Sequence, residues 1–596
     1  MNLHAIDIGI IIGYLVIVIV IGVLIRKKAS EGITSYFLGG RNMPWYLLGL
    51  SNASSMFDIT GTMWLVTILF VYGFKGTLLP WLWPTFNQIF LMIYLSRWIR
   101  RSNVLTGAEW IGTRFGTGRG AELSRLIVTL FAIISVTGFL IYSFQGVGRF
   151  FSVVLPWGFS HNTYAIMIMS VTTIYVILGG MYSVVLTDFI QFLIMAVVSI
   201  ALAVIAMNKI SPEMLNAVIP EGWTSLAFGW RLNMDWGNLI PAVNGKIASD
   251  GYSLFTFVMM MIIFKGILNS MAGTAPNYDM QRVLAAKSPR EAALMSGLVS
   301  VALFPRWLMI TGLTLLGLVF FSGELRDMGT ALDFEKIMPY VITNYVPVGI
   351  MGLAIAGLLA AFMSTFDSTV NSGAAYIVND IYKRYINPDA DNKSIIRMSY
   401  IASIVIVIVG VTFGAYATSI HSIMQWLVSG LGGGFAMPNI LKWHWWRLNG
   451  YGYFWGMLFG IVSALVCPVL FPGMDPLYAF PYIMGASAVA SVAGSLLTEK
   501  DNEEVLIRFY TTVRPWGFWG PIREKAMKID SSFASEISAG RDLLNVLVGI
   551  IWQMTFVFVP ILLVMKSFKW MIIAIIVMIV TSIFLKKNWY ERLNND

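Results

Sequence analysis

The chain has 596 residues, of which 57% are hydrophobic and only 12% are charged, and its formal net charge is +9. Soluble domains carry about 25% charged residues, so this composition excludes a soluble globular protein and indicates an integral membrane protein. The positive charge does not imply a nucleic-acid partner, because membrane proteins collect lysine and arginine in cytoplasmic loops. One cysteine excludes an intramolecular disulfide, and four histidines without clustered cysteines argue against a transition-metal site.

Stretches of roughly 20 apolar residues, the length that crosses a bilayer once, recur along the whole chain. They predict about 15 transmembrane helices, near residues 5–25, 43–72, 78–100, 121–152, 162–181, 185–208, 253–276, 292–322, 346–379, 395–418, 422–442, 451–471, 478–497, 541–565 and 570–586. The first lacks a preceding basic region and a following cleavage site, so we interpret it as a retained helix and not as a signal peptide.

Basic residues follow alternate spans and predict an extracellular amino terminus and a cytoplasmic carboxyl terminus. Arg282, Lys287 and Arg290, for example, fall in the predicted inside loop after the seventh span.

The second predicted span contains an unusual polar segment, SNASSMFDITGTMW at 51–64. Its serines, threonines, asparagine and Asp58 interrupt an apolar helix, and hydrocarbon would leave their polar groups unsatisfied. We predict a broken helix that lines a cavity, in which unwound carbonyls bind a cation or a solute. The alternative is a serine- and glycine-rich packing surface between helices, which the charge of Asp58 disfavours.

The seventh predicted span is interrupted near its end, at NSMAGTAPNYD, 269–279. Pro276 removes a helical hydrogen bond, and neighbours or water must satisfy the groups that it frees. The two interrupted spans are five spans apart, so spans 2–6 and 7–11 would form two halves of opposite orientation. This spacing predicts an inverted-repeat transporter whose sites lie where the two breaks meet.

The ninth predicted span carries the densest polar face of the chain. Ser364, Asp367 and Ser368 share one helix face, and Ala361 lies one turn earlier. Hydroxyl and carboxylate oxygens are the ligands that a small hard cation prefers, so this face predicts a cation site. The alternative is that the hydroxyls bond back to their own helix and that Asp367 caps a neighbour, which the cost of a buried charge disfavours.

Other polar side chains within the spans are candidate contacts for a solute, although each also has a structural explanation. Asp188, at the start of the sixth span, equally fits a helix cap. An arginine can bind a carboxylate with two parallel hydrogen bonds, or it can snorkel and pair with a buried carboxylate. The candidate solute contacts are Asp58, Asn87, Gln88, Arg149, Arg306 and Gln425.

Familiar catalytic signatures are missing from the sequence, which has no Walker A, HExxH or GxSxG pattern. We therefore expect neither an enzyme nor an ATP-driven pump, and no cofactor. The predicted units are an amino-terminal helix with its loop, a first repeat, an extracellular loop, a second repeat, two further spans, a cytoplasmic loop and a carboxy-terminal hairpin. They cover 1–42, 43–208, 209–252, 253–442, 443–497, 498–540 and 541–596.

Four segments recur in the order found in the solute:sodium symporter family, which contains sodium–glucose, proline and sialic acid transporters. They are FLGGRNMPWYLLGLSNASS (37–55), GGMYSVVLTDFIQ (179–191), MQRVLAAKS (280–288) and AAFMSTFDSTVNSGAAYIVNDIYKRY (360–385). The chain resembles this family over roughly residues 5–497. The resemblance implies an all-α membrane protein with the five-plus-five inverted repeat of LeuT-like transporters and extra helices at both termini. Together with the lack of disulfides, it also implies the inner membrane of a bacterial-type cell.

The resemblance also implies cation sites. The conserved sodium site would use the backbone carbonyls of Ala53, Met56 and Ala361 and the hydroxyls of Ser364 and Thr365. Some family members bind a second cation beside it, at positions that fall on Ser364, Asp188, Asp367 and Ser368. The aspartate at position 367 departs from the family pattern, and two carboxylates near one site need either a cation between them or a proton.

Most residues that contact the solute in sugar transporters of the family are not found at the matching positions of this chain. Sugar transporters of the family have a lysine where this chain has Leu294 and Met295, and an aromatic inner gate where it has Ala272 and Gly273. Gln425 alone matches a sugar-contacting position.

We therefore predict a sodium-coupled secondary active symporter that moves a small polar organic solute (a sugar, organic acid or amino-acid-like compound) by alternating access. Its expected partners are sodium, the solute and the lipid bilayer. One alternative is proton-coupled symport by the same fold. Another is a transporter-like membrane sensor that signals through 498–540.

Overall fold

The computed structural model describes residues 3–29, 33–82, 87–102, 104–227, 229–276, 278–329, 332–417, 420–529 and 539–593. Within these ranges the regular structure is helical, and two isolated bridges are the only strand-like pairs. The prediction of an all-α protein is confirmed. Residues 83–86 of the predicted third span and 530–538 of the predicted cytoplasmic loop lie outside the described residues.

The main helices are labelled in chain order. They are α1 (Ala5–Ala29), α2 (Trp45–Met56), α3 (Ile59–Tyr72), α4 (87–100), α5 (Gly107–Phe115), α6 (Arg119–Val154), α7 (His161–Lys209), α8 (Phe255–Ala272), α9 (Tyr278–Ala285), α10 (Pro289–Ala302), α11 (Phe304–Phe320), α12 (Ile337–Tyr345), α13 (Ile350–Ile386), α14 (Asn392–Gly414), α15 (420–444), α16 (Gly450–Leu470), α17 (Pro476–Leu496), α18 (Glu503–Val513), α19 (Gly520–Ile529), α20 (Ala539–Val564) and α21 (Phe568–Asn588). Short helical segments lie at Ile33–Leu38, Gly39–Arg41, Gly73–Leu82, Pro212–Asn216, Pro241–Ser249, Ser322–Met328, Phe334–Lys336 and Tyr590–Arg592.

Among the described residues, 11 helical stretches are long and apolar enough to cross a membrane. The predicted spans outside this count are 5–25, 78–100, 162–181 and 422–442. The first corresponds to α1, while α4 and α15 are interrupted by π-helical turns. The span 162–181 joins the next one within α7, which has 49 residues, and only its second part, Val184–Lys209, belongs to the 11 stretches.

Both predicted helix breaks are confirmed. Helix α2 ends at Met56 and α3 begins at Ile59. Asp58 caps α3, because its Oδ2 accepts a hydrogen bond of 2.9 Å from the amide of Gly61. Helix α8 ends where Gly273 adopts a φ of 90°, a left-handed conformation that favours glycine. Each break exposes helix-end carbonyls and amides that can bind an ion or a solute.

The first broken helix occupies the centre of the molecule. Helix α2 packs against α7, α10 and α13, and the residues of α3 are all buried. The carboxy-terminal helix α20 packs against α11, α10 and α4. The helices that would carry a site at the first break therefore come from both predicted repeats and from the carboxy-terminal hairpin.

The segment that follows α17 is anchored by one buried arginine. The guanidinium of Arg114 donates to carbonyls near the end of α15, the shortest contact being 2.9 Å to Leu448. It also lies 5.3 Å from the ring centroid of Phe509 and 5.1 Å from that of Trp519. Its Nη1 is 3.5 Å from Oδ2 of Asp501. These contacts fix α18 and α19 against the helical core.

Asp501 gives this anchor a dependence on pH. Burial raises the pKa of Asp501 from 3.8 to about 6, against the opposing effect of the Arg114 guanidinium. The folded protein then holds the proton more tightly than the unfolded chain does, so stability decreases as the pH rises from 3.8 to about 6. We expect Asp501→Asn to remove this decrease, which thermal unfolding of the purified variant and the parent protein would measure. Parallel pH profiles of the two proteins would contradict the assignment.

Candidate functional site

The residues of the predicted sodium site meet where the last turn of α2 contacts α13. The hydroxyl of Thr365 donates to the carbonyl of Ser55 at 2.6 Å and to that of Ala361 at 3.2 Å. The hydroxyls of Ser55 and Ser364 form a hydrogen bond of 3.0 Å. Ala53 lies on the same turn of α2 and is fully buried. Hydroxyl and carbonyl oxygens from two helices therefore converge in a buried region.

This oxygen-rich region has a simple physical origin. Helix α2 stops at Met56, so most carbonyls of its last turn lack the amide partners that a continuing helix would supply, although the Ser54 carbonyl accepts from the amide of Phe57. Helix α13 places hydroxyls on the facing turn. Hydroxyl and carbonyl oxygens are ligands that a hard cation such as Na⁺ prefers.

Arg282 occupies the position that the sequence assigned to a second cation. Its guanidinium donates to the hydroxyls of Ser51, Ser55 and Ser368 at 3.0, 2.6 and 2.8 Å. It also lies 3.2 Å from Oδ2 of Asp188, which accepts a further hydrogen bond from Ser51. The arginine is 1% exposed. It therefore connects α9 to α2, α7 and α13 through a buried ion pair.

The sequence predicts Arg282 in a loop after the seventh span, but the structure places it in a helix, α9, with its side chain buried. Helix α9 directs the side chain into the core, because the break after α8 turns the chain back towards α2. A signal was present in the sequence: a buried aspartate at position 188 requires a partner, and the MQRVLAAKS segment offers the arginine.

Asp367 belongs to the same region but not to this network. It is fully buried, and neither carboxylate oxygen has a hydrogen-bond partner among the described residues. It lies close enough to Asp188 for the two carboxylates to repel each other. An ionised carboxylate in this position requires a nearby cation.

A cavity adjoins the predicted sodium site on the side of α3. It is lined by Ser55, Met56 and Thr365 along that boundary. Its wall thus includes oxygen-bearing residues of the predicted cation site, so occupants of the two places would be neighbours.

Two lining residues of this cavity, Asp58 and Arg306, form an ion pair. Arg306 Nη2 lies 3.3 Å from Oδ1 of Asp58, and the aspartate also bonds to the hydroxyl of Tyr142. Gly61 makes the arrangement possible, since a Cβ atom there would lie 2.5 Å from Oδ1 of Asp58 and 2.9 Å from Nη2 of Arg306. The rest of the wall is largely apolar and aromatic, with Trp64 among its side chains.

The predicted solute contacts divide between this cavity and other places. Asp58, Gln88 and Arg306 line the cavity. Asn87 lines a neighbouring one, which the first meets at Phe139 and which also includes residues of α8 and α15.

Arg149 and Gln425 line neither cavity. Arg149 forms ion pairs with Glu335 and, at 3.5 Å, with Asp333, because α6 ends near the segment that precedes α12. The amide of Gln425 donates to the hydroxyl of Tyr252 at 3.2 Å. These two side chains have partners elsewhere, and their role as solute contacts stays a prediction.

Two interrupted helices, a cluster of buried oxygens at one break and a cavity with an ion pair beside it indicate a secondary transporter of the inverted-repeat class. The sequence model of the sodium:solute symporter family matches residues 36–460. The chain belongs to this family.

Relatives agree with this classification. The chain is 25% identical over 510 residues to sodium/glucose cotransporter 4 of Danio rerio, covering 78% of this chain and 72% of the relative. It is 24% identical over 563 residues to the sodium/mannose cotransporter of Bos taurus, covering 83% and 87%. A solved Na⁺-coupled sialic acid symporter shares the fold with a TM-score of 0.65 at 17% identity, covering 84% of this chain and all of that one.

The protein is therefore a multi-pass membrane protein of the LeuT-like fold and a sodium-coupled symporter of a small polar organic solute. The predictions of the family, the fold class, the transport function and Na⁺ as the coupling ion are confirmed.

Proposed function

We propose that the coupling sodium binds between the last turn of α2 and α13. Its ligands are the carbonyls of Ala53, Met56 and Ala361 and the hydroxyls of Ser364 and Thr365. The observation that supports this site most directly is the 2.6 Å hydrogen bond from Thr365 to the carbonyl of Ser55, because it brings the two helices to the separation that a shared ion requires.

Sodium at this place would couple directly to the solute. Ser55, Met56 and Thr365 border both the cation region and the cavity, so an ion that holds α2 against α13 also fixes the cavity wall. Sodium that binds the outward-facing state more tightly would favour that state and assemble the solute site. Its release inside would then favour the return, since only differential affinity shifts such an equilibrium.

We further propose that one sodium ion moves in each cycle. The sequence assigned a second cation to Asp188, Asp367 and Ser368. The guanidinium of Arg282 already contacts Asp188 and Ser368, and a second ion in this position would meet a fixed positive charge. Asp367 instead provides the negative charge near the proposed sodium, one helical turn from Ser364 on the same face.

We propose that the solute is an uncharged molecule rich in hydroxyl groups and that it occupies the cavity at Asp58 and Arg306. These two side chains neutralise each other at 3.3 Å, and a charged solute would have to disrupt that pair. A hydroxyl group can donate to the carboxylate and accept from the guanidinium. The aromatic wall suits the apolar faces of a sugar ring, and the relatives named for glucose and mannose support the same class.

The test is thermal stability of the purified protein with four probes, each in sodium and in potassium. Glucose and mannose represent neutral sugars, sialic acid an anion and proline a zwitterion. We expect sodium alone to stabilise the protein, and a neutral sugar to add stability only when sodium is present. Stabilisation by sialic acid or proline, and not by a neutral sugar, would contradict the proposed solute class. Stabilisation by low pH in place of sodium would indicate proton coupling.

Gly61→Ala tests the ion pair as part of the solute site. The added methyl group would separate Asp58 from Arg306, so we expect the half-saturating solute concentration for uptake to rise about tenfold or more. Sodium should still stabilise the variant. Gly112→Ala is the matched control, because a Cβ there meets no atom within 4 Å. Unchanged solute affinity in Gly61→Ala would exclude the pair from the site.

The proposed arrangement in the membrane follows the charge pattern. The amino terminus lies outside, the carboxyl terminus lies in the cytoplasm, and the two repeats cover 43–208 and 253–442. In a Cys467→Ser background, Asp235→Cys should react with a membrane-impermeant thiol reagent in intact cells. Glu524→Cys should react only after permeabilisation.

Recovery of the transported solute unchanged would establish transport without catalysis.

A further inference from the structure

Helix α20 contributes one wall of the solute cavity. It lies beyond residues 36–460, the part of the chain that the family model matches. Even so, Gln553, Met554, Phe556 and Val557 line the cavity beside residues of α3, α4 and α11. A helix outside the family match therefore contacts the space that we assign to the solute.

Two buried amide side chains face this space with incomplete hydrogen bonding. Gln553 is 5% exposed; its Nε2 donates to the hydroxyl of Ser300 at 3.2 Å, and its Oε1 is buried without a partner among the described residues. Gln88 is 2% exposed, and both atoms of its amide are buried without a partner there. Buried polar atoms almost always have hydrogen-bond partners. These unpartnered atoms therefore indicate that a molecule bound in the cavity supplies the missing hydrogen bonds.

We propose that Gln553 and Gln88 form a polar subsite for a neutral hydroxyl or carbonyl group of the solute. Gln553 Oε1 accepts a hydrogen bond from the solute, while the Gln88 amide both donates and accepts. Because both amides are uncharged, this subsite adds hydrogen-bond selectivity without adding a charge. Helix α20 is then a specificity-determining wall, with Gln553 as its selective residue. This inference rests on the proposal that the solute occupies this cavity.

An uncharged subsite can select between solutes through hydrogen bonds. A site that hydrogen-bonds a particular solute group discriminates strongly against analogues that lack the group, because its own buried atoms then remain unsatisfied. An apolar wall in the same place would respond mainly to size. The identity of residue 553 should therefore change which solutes are preferred, and not merely how tightly all of them bind.

The experiment compares Gln553→Leu with the parent protein in sodium-driven uptake of glucose, mannose and 2-deoxyglucose. Leucine has a similar volume and no hydrogen-bonding atoms. We expect the half-saturating concentration of the preferred sugar to rise about tenfold, and that of the analogue lacking the contacted hydroxyl to change little. Sodium stabilisation should be unaltered. Leu547→Ala is the matched control on α20, because that side chain is 59% exposed on the outer face.

The outcomes of this experiment distinguish the alternatives. An unchanged ranking of the sugars, or an equal loss for all of them with reduced thermal stability, would overturn the proposal and leave Gln553 as a support for Ser300 or a ligand of buried water. Gln553→Asn, which keeps the amide, should recover part of the selectivity if the subsite exists. If the parent protein itself transports none of these sugars, the proposed solute class fails, and the subsite fails with it.

Discussion

Replacing Ser364 and Thr365 together by alanine is expected to abolish the sodium dependence of both solute uptake and thermal stability. Hydrogen bonds and ligand contacts to a charged group contribute about 1.5–3 kcal/mol each, so the loss of two hydroxyls should lower sodium affinity by about a hundredfold or more. The variant also loses the Thr365 bond to the Ser55 carbonyl, which weakens the contact between α2 and α13.

Thr369→Ala is the control for this experiment. Thr369 lies on the same helix and is 2% exposed, but its hydroxyl donates to the carbonyl of Thr365 within the helix at 2.7 Å. Removing that bond changes a buried threonine without touching the proposed ion. Sodium titrations followed by thermal unfolding would report the affinity of each variant. If the double variant retains the sodium affinity of Thr369→Ala, the ion binds elsewhere.

The fold could be predicted from the sequence because its signals are local. Long apolar stretches reveal spans, and polar, glycine or proline residues inside them reveal breaks. Asp58 and Gly273 mark the two breaks that the structure contains. The oxygen cluster proposed to bind sodium could also be predicted in part, since hydroxyls at fixed helical spacing on α13 share one face.

The remaining parts of the site depend on contacts between residues far apart in the chain. Gln553 meets Ser300 across 253 positions, and Arg306 meets Asp58 across 248. A lone glutamine in a carboxy-terminal span has no local feature that distinguishes it from a packing residue. For the same reason, the sequence does not reveal that Arg149 pairs with Glu335 or that Gln425 bonds to Tyr252.

Arg282→Gln is expected to have the largest effect on stability. The variant removes the guanidinium from a fully buried network while Asp188 stays in place. Breaking a buried ion pair from one side costs about 3–5 kcal/mol, because the other charge is left uncompensated. Arg282 also interacts electrostatically with a second buried carboxylate, that of Asp279 at the amino end of α9. Thermal unfolding in detergent would measure the loss.

A second replacement separates charge balance from packing. Asp188→Asn combined with Arg282→Gln removes both charges and retains two side chains of similar shape. We expect the double variant to recover most of the lost stability, since replacing both partners of a buried pair costs much less than removing one. A double variant that is no more stable than Arg282→Gln would show that the arginine acts through packing and hydrogen bonds to the serines.

The single variant Arg282→Gln also tests the proposal that one sodium ion binds. In the parent protein the guanidinium fills the position between Asp188 and Ser368, so sodium should stabilise the protein with the concentration dependence of one ion. Without it, a carboxylate and three serine hydroxyls are left around a vacated space, and these are ligands for a hard cation. We expect Arg282→Gln to require more sodium for stability and to show a steeper dependence, approaching two ions. An unchanged dependence on one ion would mean that Arg282 does not determine how many cations this protein binds.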